Sequence, residues 1–114
     1  MSLHKQSHGE SFFALLESRL KGKGLYIFDE PEAALSPSRQ MSMLVRMHDL
    51  VQQDSQFIIA THSPILMAYP GAWIYQLTKH GLERVSYQDT EHFQVTRNFL
   101  NRHEQIVSQL LDDG

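Results

Sequence analysis

The feature that most constrains the fold is a short apolar run that ends abruptly in acidic residues. The run is Leu25-Tyr26-Ile27-Phe28, and Asp29-Glu30-Pro31-Glu32 follows it directly. A continuous apolar run of this length is typical of a strand buried on both faces of a parallel sheet. The carboxyl ends of such strands form the edge where α/β proteins build ligand sites. The sequence therefore predicts a buried strand that delivers Asp29 and Glu30 to that edge.

A helix and a second strand complete a predicted βαβ unit. Ser36-Pro37 indicates a helix start, because a serine can accept hydrogen bonds from free amides and proline suits the first helical position. Its main apolar stripe is predicted to comprise Met41, Leu44, Val45 and Val51, with Met47 and Leu50 beside it. The next buried strand, residues 56–60, ends in Thr61-His62-Ser63-Pro64. A helical connection of this length between two strands predicts a βαβ unit with parallel strands and a right-handed crossover. The acidic pair and the histidine cluster are therefore expected at one crevice.

Further elements are predicted on either side of this unit. Residues 11–20 have helical apolar spacing, and Lys21-Gly22-Lys23-Gly24 ends that helix. A short helix is predicted over residues 65–68, and segments 73–77 and 82–87 indicate a β-hairpin. A final amphipathic helix starts near Glu91 and is expected to break near Asn101. The predicted fold class is therefore α/β, a short parallel sheet with a hairpin extension and flanking helices.

Length, charge and composition narrow the class of protein. The chain has 114 residues, ten Lys and Arg against thirteen Asp and Glu, and a net charge of −3. This balance excludes a strongly basic nucleic-acid binder, and no membrane or nucleic-acid partner is indicated. The absence of cysteine excludes disulfides and thiolate metal sites, and no apolar run is long enough to cross a bilayer. We expect one domain in a cytoplasmic protein.

The motifs resemble, in order, the second half of an ABC-type ATPase domain, the nucleotide-binding module of ABC transporters and of the SMC and Rad50 proteins. Gln6-Ser7-His8-Gly9-Glu10-Ser11 looks like the signature motif, and residues 25–30 look like Walker B with its catalytic glutamate. Ala34-Leu35-Ser36-Pro37 looks like the D-loop, and His62 looks like the switch histidine. The phrases over residues 29–37 and 59–64 look most like stand-alone bacterial ATPases of this class.

The resemblance implies ATP and Mg²⁺ as cofactors and a role for each matching residue. It gives Asp29 the magnesium-water shell, Glu30 the task of polarising the attacking water, and His62 the sensing of the γ-phosphate. Ser36 would lie in the loop that meets the opposite subunit of a homodimer. The residues assigned to the γ-phosphate of that other subunit are Ser7, Gly9 and Glu10. Free amides at a helix start attract anions, which suits this role.

The sequence departs from the family pattern in two places. His8 stands where transporters usually have the first signature glycine, and no G-x-x-x-x-G-K-[ST] phosphate loop is present. We therefore expect a partial P-loop NTPase-type sheet that lacks the phosphate-loop half, within a longer ATPase. These 114 residues are not expected to hydrolyse ATP alone. The expected subdivision of the single domain is residues 6–24, 25–77 and 78–114.

Two other functions stay open. One is a metal-dependent phosphodiesterase in which Asp29, Glu30 and Glu32 hold two cations. It requires a further acidic strand end, for which the contexts of Asp89 and Asp112-Asp113 are poorly suited. The other is a non-catalytic interaction module that self-associates through an apolar face left uncovered by the missing half.

Overall fold

The computed structural model describes residue 20 and residues 22–112. The chain divides into two compact units, of which the first ends at Tyr69 and the second begins at Pro70. The predicted helix before Leu20 and the predicted signature residues lie outside the described residues. The expected single domain and its subdivision stay predictions.

The first unit contains the predicted βαβ arrangement. Strands β1 (Leu25–Asp29) and β2 (Gln56–Ala60) pair in parallel, and helix α1 (Pro37–Gln52) connects them. A single-turn 3₁₀ helix, Pro31–Ala34, follows β1, and another, Leu66–Ala68, follows β2. The mixed α/β class, the parallel pair and the short helix after β2 are therefore confirmed.

The prediction that both strands are buried on both faces is wrong for this chain. Phe28, Phe57 and Ile59 pack against the core cluster formed with α1. The alternate side chains Leu25, Ile27 and Ile58 point to the other face and are exposed, Ile27 by 70%. Because successive strand residues alternate between faces, one helix can cover only one face of the pair. A continuous apolar run indicates that a strand could be covered on both faces. It does not show that this chain contains an element that packs on the second face.

Helix α1 begins as predicted and buries a different stripe from the one predicted. The Ser36 hydroxyl caps the helix by accepting from the Arg39 N–H at 3.2 Å, with Pro37 in the first turn. The buried positions are Gln40, Met43, Met47 and Leu50. Met41, placed in the main stripe by the sequence, is 55% exposed, whereas Met43 is fully buried.

The error on α1 has a physical reason. Positions 40, 43, 47 and 50 recur at helical spacing and form one face, while Met41 and Val45 belong to the neighbouring stripe. The sequence prediction chose the helix face with the most apolar residues, and that face does not include the polar Gln40. The sheet instead receives the face on which Gln40 is hydrogen-bonded.

The second unit consists of a hairpin and two helices. Strands β3 (Ile74–Thr78) and β4 (Gly81–Val85) pair antiparallel, as predicted, and Gly81 adopts a φ of 103° at the turn. A 3₁₀ turn, Tyr87–Asp89, leads into α2 (Glu91–Asn101). Helix α3 (His103–Leu111) follows after a break at Arg102, close to the predicted break. Across the part of the chain that is described, no helix has both the length and the apolar character needed to cross a bilayer.

Candidate functional site

The candidate site lies at the carboxyl edge of the parallel pair. The register places Asp29, the last residue of β1, opposite Ala60, the last residue of β2. The Glu30 N–H donates to the Ala60 carbonyl oxygen at 2.7 Å, which continues the pairing one residue beyond the strand. The acidic pair and the segment that carries His62 therefore leave the sheet side by side.

The backbone turns sharply at Glu30. This residue has φ 49° and ψ 55°, the left-handed region that non-glycine residues rarely adopt. Asp29 still has strand conformation, so the two neighbouring carboxylates do not continue one regular alternation. A non-glycine residue in the left-handed region costs on the order of 1 kcal/mol, and such strain concentrates at functional sites. Both side chains are exposed at the edge.

Glu32 joins the two loops that follow the strands. Its Oε1 accepts from the Thr61 hydroxyl at 2.6 Å, and its Oε2 accepts from the backbone N–H of His62 at 2.8 Å. Partial burial by itself raises the pKa of the Glu32 carboxyl, but the two hydrogen bonds and the nearby His62 outweigh it, so the pKa lies below its ordinary value. The lowered pKa favours the ionised carboxylate, which accepts hydrogen bonds from Thr61 and His62.

A second anchor holds the far side of the same segment. The Ser63 hydroxyl donates to Gln40 Oε1 at 2.5 Å and accepts from the N–H groups of Ile65 and Leu66 at 3.1 Å each. Gln40 also donates from Nε2 to the Leu35 carbonyl oxygen at 3.2 Å. Gln40, Ser63 and Leu35 are all buried. Their polar atoms are thus paired inside the protein, as buried polar groups require.

The residues named from the sequence divide into two groups. Asp29 ends β1, Glu30 follows it, and His62 comes two residues after the end of β2 at the same edge of the sheet. Ser36 lies in the β1–α1 connection as the exposed cap of α1. Ser7, Gly9 and Glu10 lie outside the described residues.

The acidic side chains suit a Mg²⁺ site completed by phosphate and water better than a metal site formed by protein ligands alone. Within residues 22–112 no three His, Asp or Glu side chains converge closely enough to hold a metal ion by themselves. Mg²⁺ at nucleotide sites usually binds one or two carboxylates, with phosphate oxygens and water as the remaining ligands. An exposed Asp29 carboxylate at the strand edge fits that smaller protein contribution.

Sequence reasoning missed the roles of Glu32 and Gln40. For Glu32 a signal existed, because a carboxylate three residues after β1 follows the same sheet edge as the first residues after a parallel β2. For Gln40 no local signal existed. A glutamine in the first turn of an amphipathic helix normally indicates the solvated face, and its burial depends on partners from two other segments.

A family model described as "AAA domain, putative AbiEii toxin, Type IV TA system" matches residues 11–68. The match includes β1, α1, β2 and the segment with His62. AAA-family ATPases typically bind ATP with Mg²⁺. No solved structure matches the chain. Since the matched residues make up just over half of the 114, the chain belongs to this family of AAA-domain ATPases.

Proposed function

We propose that the chain supplies part of the ATP-hydrolysing site of an ABC-type ATPase. The observation that carries the proposal is the parallel pairing, continued by the 2.7 Å bond from the Glu30 N–H to the Ala60 oxygen. It brings two carboxylates and a histidine-bearing segment to one edge, the place where α/β proteins bind nucleotides. The family membership supports the same class of function.

Each residue at the edge has a distinct task in this proposal. Bound Mg²⁺ supplies neutralisation of charge on the phosphates, and Asp29 is the carboxylate that would hold it through its water shell. Glu30 accepts a hydrogen bond from the attacking water and orients it toward the γ-phosphate. His62 donates a hydrogen bond to the γ-phosphate oxygens and so responds to their presence.

The remaining parts of the site come from elsewhere in the proposed assembly. The lysine-containing phosphate loop, absent from this sequence, would be supplied by another part of the ATPase. Ser7, Gly9 and Glu10 would cap the γ-phosphate bound by the other subunit of a homodimer, and Ser36 would face that subunit. ATP would lie between the two subunits as a shared ligand.

The arrangement of Glu32 favours this proposal over a two-metal phosphodiesterase. That alternative needs Asp29, Glu30 and Glu32 to hold two cations together. Both carboxylate oxygens of Glu32 accept hydrogen bonds from Thr61 and His62 instead. A nuclease assay with Mg²⁺ or Mn²⁺ tests the alternative, and metal-dependent cleavage that is lost in Glu32→Gln would replace our proposal.

The central experiment measures Mg²⁺-dependent ATP hydrolysis by the full-length protein. We expect chelation of Mg²⁺ to abolish turnover, and Glu30→Gln to lower kcat by about 10²- to 10⁴-fold while a nucleotide-bound dimer accumulates. Glu104→Gln, a matched change in the first turn of α3, should leave kcat unaltered. Normal turnover in Glu30→Gln would remove this residue from the mechanism.

A second substitution separates catalysis from backbone strain. Glu30→Gly relieves the left-handed conformation, so the folded state should keep its stability or gain up to about 1 kcal/mol. Hydrolysis should nevertheless be lost, because glycine carries no carboxylate. A stable Glu30→Gly protein with full activity would mean that Glu30 serves only the turn.

One observation supports a second candidate, a non-catalytic interaction module. Leu25, Ile27 and Ile58 form an exposed apolar strip on one face of the parallel pair. Light scattering with and without ATP distinguishes the two candidates. Association that needs ATP supports the shared nucleotide site, whereas association that is independent of ATP and weakened by Ile27→Thr supports the interaction module.

A further inference from the structure

The segment that carries His62, residues 61–64, is held from two sides, and we call it the histidine loop. On one side Glu32 accepts from the Thr61 hydroxyl and the His62 N–H. Thr61 Oγ1 in turn accepts from the Ser63 N–H at 3.0 Å. On the other side the Ser63 hydroxyl donates to Gln40. Three consecutive residues of the loop therefore take part in hydrogen bonds that hold it in place.

The two anchors come from different parts of the chain. Glu32 belongs to the 3₁₀ turn that follows Glu30, and Gln40 belongs to the first turns of α1. Both lie more than 20 residues from the loop, so local sequence does not impose these contacts. Hydrogen bonds to a charged carboxylate are stronger than those between neutral groups. Glu32 is thus suited to determine where the His62 backbone lies relative to Glu30.

We propose that Glu32 and Gln40 are positioning residues that hold the histidine loop so that His62 lies beside Glu30 before ATP binds. The proposal rests on the function proposed above, since it assigns these two side chains a task in the same reaction. Catalytic groups must be held within fractions of an ångström, and residues that orient them contribute through that geometry. Gln40 adds a link, because it holds both the Leu35 carbonyl and the Ser63 hydroxyl. A shift of the connection before α1 would therefore reach the histidine loop.

The first experiment tests the hydrogen bonds by which Glu32 holds Thr61 and His62, which we call the clamp. It does not require a measurement of enzymatic activity. Amide hydrogen exchange is followed in the full 114-residue chain for the unsubstituted protein, Glu32→Ala, Glu32→Gln and Glu104→Ala. We expect Glu32→Ala to speed exchange of the His62 amide by about tenfold, since it removes a hydrogen bond to a charged acceptor. Glu32→Gln should restore much of the protection because its carbonyl oxygen can still accept from His62. Glu104→Ala should change nothing at this site.

Controls keep this result interpretable. The amides of β1 and β2 must stay protected in Glu32→Ala, which shows that the fold is intact. If Glu32→Ala unfolds the chain, Thr61→Val and Thr61→Ser provide the second pair, since only serine keeps the hydroxyl that donates to Glu32. Unchanged exchange at His62 in a folded Glu32→Ala protein would overturn the clamp. So would unchanged exchange at both His62 and Ser63 in a folded Thr61→Val protein, because the Ser63 N–H donates to the Thr61 hydroxyl.

The second experiment measures ATP hydrolysis by the full-length protein with the same substitutions and with Gln40→Ala. We expect kcat to fall by about tenfold or more with little change in KM, and Glu32→Gln to recover part of it. Faster exchange at His62 with unchanged kcat would overturn the positioning role. If the unsubstituted protein hydrolyses no ATP, the proposed function fails, while the exchange experiment still decides whether the clamp exists.

Discussion

The two units of the chain differ in the contacts that stabilise each of them internally. The first unit has a buried apolar core, formed by Leu35, Met43, Met47, Leu50 and Leu66. Its polar contacts also join distant segments, as in the bonds from Thr61 and His62 to Glu32. Among the described residues of the second unit, Thr90 is the only buried side chain, and its hydrogen bonds reach three residues along the chain.

This difference shows which region can support a site that needs exact geometry. Long-range bonds and a packed core fix the strand edge and the histidine loop of the first unit. The second unit is stabilised by a hairpin, a cap and short-range turns, and many of its apolar side chains are exposed. Substitutions in the first unit should therefore lower the free energy of unfolding the most, and the following predictions test that expectation.

The largest effect is expected from truncating the core face of α1. Met43→Ala should lower the free energy of unfolding by about 2–5 kcal/mol, because a fully buried side chain leaves a cavity. Met41→Ala removes the same atoms from an exposed position and should cost less than about 0.5 kcal/mol. Denaturant unfolding of both variants measures the difference. Equal losses would mean that the stripe predicted from the sequence is also packed.

A smaller effect is expected at the cap of α2 in the second unit. Thr90 is 1% exposed, and its hydroxyl accepts from the Phe93 N–H and donates to the Tyr87 carbonyl. Thr90→Ala should destabilise α2 by about 1–2 kcal/mol, whereas Thr90→Ser should retain most of the stability. Hydrogen exchange of the α2 amides measures the change in stability of α2 in both variants. If exchange in β1 and β2 accelerates equally, the two units unfold as one.

A pH effect should follow from Glu32 in the first unit. Its pKa is lower in the folded protein than in the unfolded chain, so ionised Glu32 stabilises the fold at higher pH. That contribution should be lost as pH falls from the unfolded pKa through the lower folded value. Because the group is only partly buried, we expect at most about 1 kcal/mol. Unfolding curves between pH 3 and 7 for Glu32→Gln should lack this component, and those for Glu104→Gln should keep it.

The smallest effect is expected on the exposed face of the hairpin. The Arg84 guanidinium lies 4.3 Å from the centre of the Trp73 ring. Arg84→Ala should lower stability by about 0.5 kcal/mol, since the pair is solvent-exposed. Trp73 is the sole tryptophan of the chain, so its fluorescence reports on this pair directly. Lys79→Ala, which removes a cation from the turn of the same hairpin, should leave the fluorescence unaltered.

The sequence predicted the elements well where local chemistry decides them. Ser36 and Pro37 marked the start of α1, the run before Asp29 marked β1, and the break at Arg102 fell next to the predicted Asn101. The prediction that the acidic pair and the histidine cluster lie at one edge followed from the parallel topology. Which of these residues act on ATP stays a prediction.

The order of strands and helices was thus determined by the sequence alone, because apolar runs, caps and breaks act over a few residues. Only the tertiary structure decided that Met43 rather than Met41 is buried, that one face of β1 stays exposed, and that Glu32 and Gln40 hold the histidine loop. The reason is physical. These outcomes depend on which surfaces meet and on hydrogen bonds between residues more than 20 positions apart, and no local pattern specifies such partners.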